Sequence, residues 1–261
     1  MANYLDSNMN RSKEAGNGGI RVIARAADIL KALRNHQDGL TLYEIARQVG
    51  LARSTVQRIV QALDDANLVI AASPTSGVRL GPALLALAAS VKQLSIAEIA
   101  RPLIVQLSKD TGETVDMAVL GNYKVVVVDQ IHGTFPLLAV SELGSSLPAH
   151  ASSSGKALLA ALPPARFDHL KKRLRLPAVT RNSITNWGAL ERELDSVRRT
   201  GFAIDQEEYA IGICAVAVSV RGPEDEIVAI SIPVPTDRFQ ARKKRLVEVL
   251  VERCRAFQRR I

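Results

Sequence analysis

The stretch 41-TLYEIARQVGLARSTVQRIVQAL-63 decides how this chain is read. Thr41 and Glu44 form the S/T-x-x-E pattern of a capping box, which predicts a helix starting there. Ile45, Ala46 and Val49 give that helix an apolar side, and Gly50 supplies a turn. In the next segment Val56, Ile59, Val60 and Leu63 recur at i, i+3, i+4 and i+7, which is one buried stripe. At about 100° per residue, Ser54, Arg58 and Gln61 then face away from the stripe, with Thr55 and Gln57 on its flanks. Hydroxyls, amides and a guanidinium on one outward face can bond phosphate oxygens and base edges alike. A helix-turn-helix lays such a face in the major groove of DNA. An ordinary helical hairpin with a solvated polar face fits this stretch equally well by itself.

The flanks separate the two readings. Residues 68–72 are apolar and partly β-branched, 73–77 (SPTSG) are turn chemistry, and Val78-Arg79-Leu80 can return as a second strand. Upstream, Val22, Ile23, Ala26, Ile29, Leu30 and Leu33 form an amphipathic first helix, and Asp38-Gly39 ends the connection after it. Three helices followed by a hairpin predict a winged helix that binds double-stranded DNA. Its candidate DNA contacts are Thr41, Arg53, Ser54, Thr55, Gln57, Arg58 and Gln61.

Composition is compatible with this. The chain has 261 residues, 47% hydrophobic and 23% charged, enough for two globular domains. Its net charge of +8 suits a polyanionic partner. The charge is uneven. Residues 1–90 carry 10 basic and 7 acidic side chains (+3), residues 91–237 carry 15 and 17 (−2), and residues 238–261 carry 9 and 2 (+7). The middle is therefore not a nucleic-acid surface by charge, and the basic tail reads as a docked helix with a solvated face. Residues 1–19 are Asn-, Ser- and Gly-rich with no apolar run, so a flexible arm and a cytoplasmic protein are expected. No stretch approaches the roughly 20 apolar residues of a membrane span.

Beyond the hairpin, Gly81-Pro82 opens a helix that is apolar on all sides from Ala83 to Leu94. Such a helix needs a cover, which predicts a linker and dimerisation helix over 82–94. Ser95 and Glu98 start another helix, running to about Asp110, with Pro102 either kinking it or marking its true start. Residues 113–235 read as an α+β domain. Strands are expected at 114–120 and 124–131, joined at Gly121-Asn122, and at 137–141, 202–206, 215–220 and 227–232. Helices are expected at 152–162, 165–174 and 188–200. A mostly antiparallel sheet with helices on its faces suits a small-molecule sensor.

The chemistry-bearing residues of this domain point to binding. Ser152-Ser153-Ser154 begins a helix, whose free N–H groups favour an anion, so an organic acid is the expected ligand. The same serines can also serve merely as a helix cap. SSSGK is not a phosphate loop, because His150 stands where glycine is required and Ala157 where Ser or Thr is. The alternative function is a small-molecule enzyme using Cys214 with His150 as base. Cys214, His150 and Asp205 could also hold a metal. However, 212-GICAVAV-218 reads as entry to a buried strand, where cysteine is a small apolar residue. No catalytic residue, metal or cofactor is expected.

Several segments together carry a resemblance: the helix-turn-helix with STVQR, VRLGPALLALA at the hairpin exit, LPAHASSSGKALLA, GFAIDQEEYAIGICAVAVSV and IVAISIPVP. Over about residues 20–257 the chain resembles the IclR family of bacterial transcription regulators. The resemblance implies a winged helix-turn-helix over 20–81, the linker helix, and a GAF-like effector-binding domain over 95–261. It further implies a homodimer or homotetramer on a palindromic operator. Its effector pocket maps onto Ser153, Ser154, Asp205, Cys214 and Ser231. This sequence has serines at 153 and 154 where small Gly or Ala are frequent, and Pro233 where a second serine is often found.

Overall fold

In a computed structural model the chain divides between Val91 and Lys92 into two compact units. The structure describes residues 21–36, 38–71, 77–90, 93–121 and 123–261, with the side chains of all but 93–95. The expected arm at 1–19, the turn residues 73–76, Asn122 and the side chain of Ser95 lie outside the described residues.

The first unit is built on three helices, α1 (21–33), α2 (Leu42–Val49) and α3 (Arg53–Asp65). The capping box of α2 forms in both directions. The Thr41 N–H donates to Glu44 Oε2 at 2.8 Å, and the Glu44 N–H donates to Thr41 Oγ1 at 3.3 Å. Gly50 ends α2 in the left-handed region at φ 67°, which turns the chain into α3. Ile29 and Leu33 of α1, Ile45 of α2 and the stripe Val56, Ile59, Val60 and Leu63 share one core, closed by Val69 and Val78.

The hairpin follows as β1 (Val69–Ile70) and β2 (Arg79–Leu80), paired antiparallel, with a further bridge between Leu40 and Val78. Its first strand is shorter than the sequence suggests. The Ala71 N–H is taken by Asp64 Oδ1 at 2.9 Å, so it is turned toward α3 and not into the ladder. Gly39 (φ 86°) and Gly77 touch backbone to backbone, where a Cβ on Gly77 would lie 2.7 Å from the Gly39 carbonyl carbon. Next comes α4 (Ala83–Ala89). The linker helix expected over 82–94 thus ends early. Ser90 caps it, its hydroxyl donating to the Leu87 carbonyl at 2.7 Å. No residue of α4 is buried, and Leu85 is 77% exposed.

The second unit starts with α5 (Gln93–Thr111). Pro102 sits inside this helix, so it does not mark the start. Ala100, Leu103, Ile104 and Leu107 bury the face around it against the sheet, which outweighs the missing hydrogen bond. Strands β3 (Val115–Gly121), β4 (Lys124–Ile131), β5 (Ser146–Pro148), β6 (Ala203–Gln206), β7 (Ile213–Arg221) and β8 (Ile227–Pro235) form one antiparallel sheet in the order β5-β4-β3-β8-β7-β6. Helices α6 (Ser153–Ala161), α7 (Pro164–Lys171) and α8 (Trp187–Thr200) belong to one face, and α9 (Thr236–Gln258) joins α5 on the other.

The alternation along β7 and β8 sorts the two faces. Cys214, Val216, Val218 and Val220 with Val228, Ile230, Ile232 and Val234 pack toward α5 and α9. Ala217 and Ala229 join the α6 and α8 side. The strand expected at 137–141 is absent. Residues 132–145 are irregular, and the edge of β4 is taken by 146–148 instead, with Val125 opposite Leu147. No helix among the described residues is long and apolar enough to cross a membrane.

Candidate functional site

Two surfaces carry candidate chemistry, one in each unit. On the first, α3 presents Arg53, Ser54, Gln57, Arg58 and Gln61 exposed and Thr55 half-buried, while its stripe lies in the core. Ala52, at its N-cap, makes no side-chain cap bond, while its carbonyl accepts the Thr55 N–H at 2.9 Å and the Val56 N–H at 3.1 Å. Among the described residues neither Arg53 nor Arg58 is in an ion pair. Gln61 is engaged within the helix, donating to Asp65 Oδ1 at 3.0 Å. Thr41 is engaged too, as its hydroxyl donates to Glu44 Oε2 at 2.8 Å. That capping box holds the Glu44 carboxyl below its ordinary range, chiefly through the Thr41 backbone N–H. Exposed Arg47, in the last turn of α2, and exposed Arg79, on β2, were missed in the sequence reading. Their signal was a cation beside the turn and a cation on the wing.

The second surface is a cavity of about 430 Å³ on the α6 side of the sheet. Its polar wall comes from the start of α6, where Ser152 caps the helix by accepting the Gly155 N–H at 3.2 Å. Gly155 lets α6 approach that closely, since a Cβ there would lie 2.2 Å from the Ala149 carbonyl oxygen. The Ser154 hydroxyl donates to Ser231 Oγ on β8 at 2.8 Å. The apolar wall includes Leu138, Ala139 and Val140 of the irregular segment, with Leu147, Ile213 and Pro233. Of the residues expected as a strand at 137–141, Leu138 to Ser141 therefore contribute cavity wall.

Of the five residues placed in the pocket from sequence, Ser153, Ser154, Asp205 and Ser231 line this cavity. Cys214 does not. It pairs with Val234 in the ladder, whereas Ser231 pairs with Ala217, which puts the two on opposite faces. Its sulfur is buried in the core beside α9, 3.6 Å from Thr236 Oγ1, and burial pushes the thiol up. A thiol so placed is a weak nucleophile. His150 Nε2 lies 2.9 Å from the Pro177 carbonyl oxygen, away from the cavity lining.

Two of the strands contribute a carboxyl group to the cavity, one toward each end of its floor. Asp205 on β6 accepts the Glu208 N–H at 2.7 Å. Burial drives its pKa from 3.8 to about 7, with the Glu208 charge adding to the rise. Asp116 on β3 was not recognised in the sequence. It accepts from the Ser141 hydroxyl and from Gln130 Nε2, each at 2.6 Å, and burial raises its pKa as well. Lys156 was also missed. It is 1% exposed, and its Nζ lies 2.6 Å from Glu208 Oε1 and 3.0 Å from Glu193 Oε1. The lysine of SSSGK thus ties α6 to α8 and to the turn after β6, which carries cavity residue Tyr209.

Comparisons with known proteins bear on both surfaces. The family model for the IclR helix-turn-helix domain matches residues 22–69, and that for the bacterial transcriptional regulator IclR C-terminal domain matches residues 88–259. The chain is 43% identical over 239 residues to HTH-type transcriptional regulator Rv1719 of Mycobacterium tuberculosis, covering 92% of each chain. It is 41% identical over 217 residues to HTH-type transcriptional regulator TtgV of Pseudomonas putida, covering 82% of this chain and 80% of that one. Among solved structures, an IclR homolog complexed with 4-hydroxybenzoate from Microbacterium hydrocarbonoxydans superimposes with a TM-score of 0.71. The two are 25% identical, over 91% of this chain and 97% of the other.

Proposed function

This chain belongs to the IclR family of bacterial transcriptional regulators, and from that premise we propose which of its residues bind DNA and effector. It is a DNA-binding regulator and not an enzyme, as its relatives are. Residues 20–81 form the winged helix-turn-helix, 82–94 the linker and 95–261 the effector-binding domain. The observation that carries the DNA assignment is the outward face of α3, polar and cationic opposite a stripe that is wholly in the core. Arg58 and Ser54 sit centrally on that face. Arg53, Thr55, Gln57 and Gln61 surround them, and Thr41 flanks them from the start of α2.

The effector is a small hydroxylated organic acid held in the 430 Å³ cavity. Its carboxylate belongs at the start of α6, where the amides of Ser153 and Ser154 point along the helix dipole. Its hydroxyl belongs beside Asp205, which would repel the acid group. The 4-hydroxybenzoate in the Microbacterium homolog has both groups. Cys214 supports the effector only indirectly, from behind the sheet. The protein works in the cytoplasm as a symmetric oligomer, with α4 supplying the contact between copies.

The test begins with selection of duplex DNA from a random pool by the full chain. A two-fold symmetric sequence is expected. On that sequence Arg58→Ala should weaken binding by about 1–3 kcal/mol if the arginine reads a guanine. A folded Arg58→Ala, Ser54→Ala double variant with unchanged affinity would remove the assignment.

A further inference from the structure

The effector cavity has an unusual electrostatic character for an acid-binding site. Among the described residues that line it there is no lysine, arginine or histidine. Its ionisable lining residues are Asp116, Glu142, Asp205 and Tyr209. The sheet order puts β8 and β7 between β3 and β6, so Asp116 and Asp205 start three strand spacings apart, about 14 Å between backbones. The registers refine this. Asp116 pairs with Ser231, Ser231 with Ala217, Ala215 with Pro233, and Asp205 with Ala215. Ser231, Pro233 and Ala215 therefore make a nearly apolar floor between the two carboxyls, and the start of α6 stands over Ser231 through the Ser154 hydroxyl.

Asp116 is 3% exposed and is not saturated. An ionised carboxylate offers about four acceptor positions. Gln130 and Ser141 take one each. Gln130 Nε2 also donates to the Ser141 carbonyl at 2.8 Å, so both partners of Asp116 are tied to the cavity wall itself. What Asp116 still has to offer the cavity is acceptor capacity, at the end opposite Asp205.

We propose that Asp116 is a second ligand-reading carboxyl, so that the cavity selects an organic acid with two hydrogen-bond donors, one for each aspartate, and rejects a diacid. This rests on the reading of the cavity as the effector site. A carboxylate at α6 leaves the remainder of the ligand over the floor, with Asp116 to one side and Asp205 to the other. A donor on each side satisfies both carboxyls. A second carboxylate on either side sets acceptor against acceptor, and among the described lining residues no lysine, arginine or histidine offsets it.

Four probes test this by calorimetric titration of the full chain: benzoate, 4-hydroxybenzoate, 3,5-dihydroxybenzoate and isophthalate. The two ring hydroxyls of 3,5-dihydroxybenzoate diverge from its carboxylate and can reach both aspartates. It should bind at least about fivefold tighter than 4-hydroxybenzoate, the gain of one added hydrogen bond to a carboxylate. Isophthalate should bind most weakly of the four. In Asp116→Asn the advantage of the second hydroxyl should disappear and isophthalate should improve, because one acceptor has become a donor. In Ser141→Ala the advantage should persist, since Asp116 itself is intact. If Asp116 only braces the 132–145 segment, Asp116→Asn weakens all four probes by the same factor, which overturns the proposal. Equal binding of 4-hydroxybenzoate and 3,5-dihydroxybenzoate to the unaltered protein overturns it without any variant. Failure of all four probes to bind overturns the effector reading, and the Asp116 role with it.

Discussion

Burial moves the Asp205 carboxyl from 3.8 to about 7, even though the Glu208 N–H and the Lys156 charge pull the other way. The folded protein therefore favours the protonated acid. The stability this group contributes is full below about pH 4 and is lost as pH rises through about 7. Asp205→Asn mimics the neutral form and keeps an oxygen to accept the Glu208 N–H. Thermal unfolding of the unaltered protein should thus weaken relative to Asp205→Asn between about pH 5 and pH 8. Parallel profiles would show that Asp205 stays ionised throughout.

Among the elements, α2 depends on its cap more than its neighbours do. It has only eight residues and a reciprocal capping box, while α3 begins at Ala52 with no side-chain cap. Thr41→Ala removes the hydroxyl acceptor for the Glu44 N–H. Urea denaturation should show a loss of about 1 kcal/mol in the N-terminal unit, with Thr41→Ser close to unaltered. An unchanged midpoint in Thr41→Ala would mean that packing of Ile45 and Ala46 alone holds α2. A loss of DNA affinity larger than this stability change would mark Thr41 as a contact in its own right. At the same scale, α9 is basic in sequence but not a free cationic stripe. Arg238 and Arg242 close on the fully buried Glu113, at 2.6 Å and 3.1 Å, and Arg253 reaches Asp110 at 2.8 Å. Three of the nine C-terminal cations are therefore engaged in holding α9 beside the end of α5 and the residues that follow it.

For the whole molecule, the decisive feature is α4, with Leu85 and Leu87 exposed and none of its residues buried. Helix-turn-helix proteins match the two-fold symmetry of their operators. A second copy covering α4 would satisfy that symmetry and the apolar surface together. Sedimentation of the full chain at micromolar concentration should give a dimer or tetramer of the 28.2 kDa chain. Leu85→Glu with Leu87→Glu should shift it toward monomer. A lone monomer for the unaltered protein would remove the contact proposed for α4. The effector regulates only if it binds the DNA-competent and incompetent arrangements differently. A coupling of about 1–3 kcal/mol corresponds to roughly a 5- to 150-fold change in operator affinity.

The sequence by itself determined what local physics controls. The capping box at Thr41, the stripe through Val56 and Leu63, and the left-handed Gly50 are short-range features, and the N-terminal unit was legible from them. So were β3, β4 and β6 to β8, to within a few residues. In the effector cavity, Ser153 and Ser154 were legible from one segment at the start of α6, while Asp205 and Ser231 were placed only through the family resemblance. Cys214 shows the limit. Its face follows from register, which was readable in principle from the hairpin at 222–225, where Ser231 falls opposite Ala217 and not in phase with Cys214. Tertiary structure alone decided the rest. The run 137–141 became cavity wall from Leu138 onward because 146–148 occupies the edge of β4. Lys156 became a buried tie because α8 and the turn after β6 bring Glu193 and Glu208 to it. Asp116, 89 positions before Asp205, became its counterpart because β8 and β7 insert between their strands. Sheet order is a long-range choice, and no periodicity along the chain encodes which side chains it brings face to face.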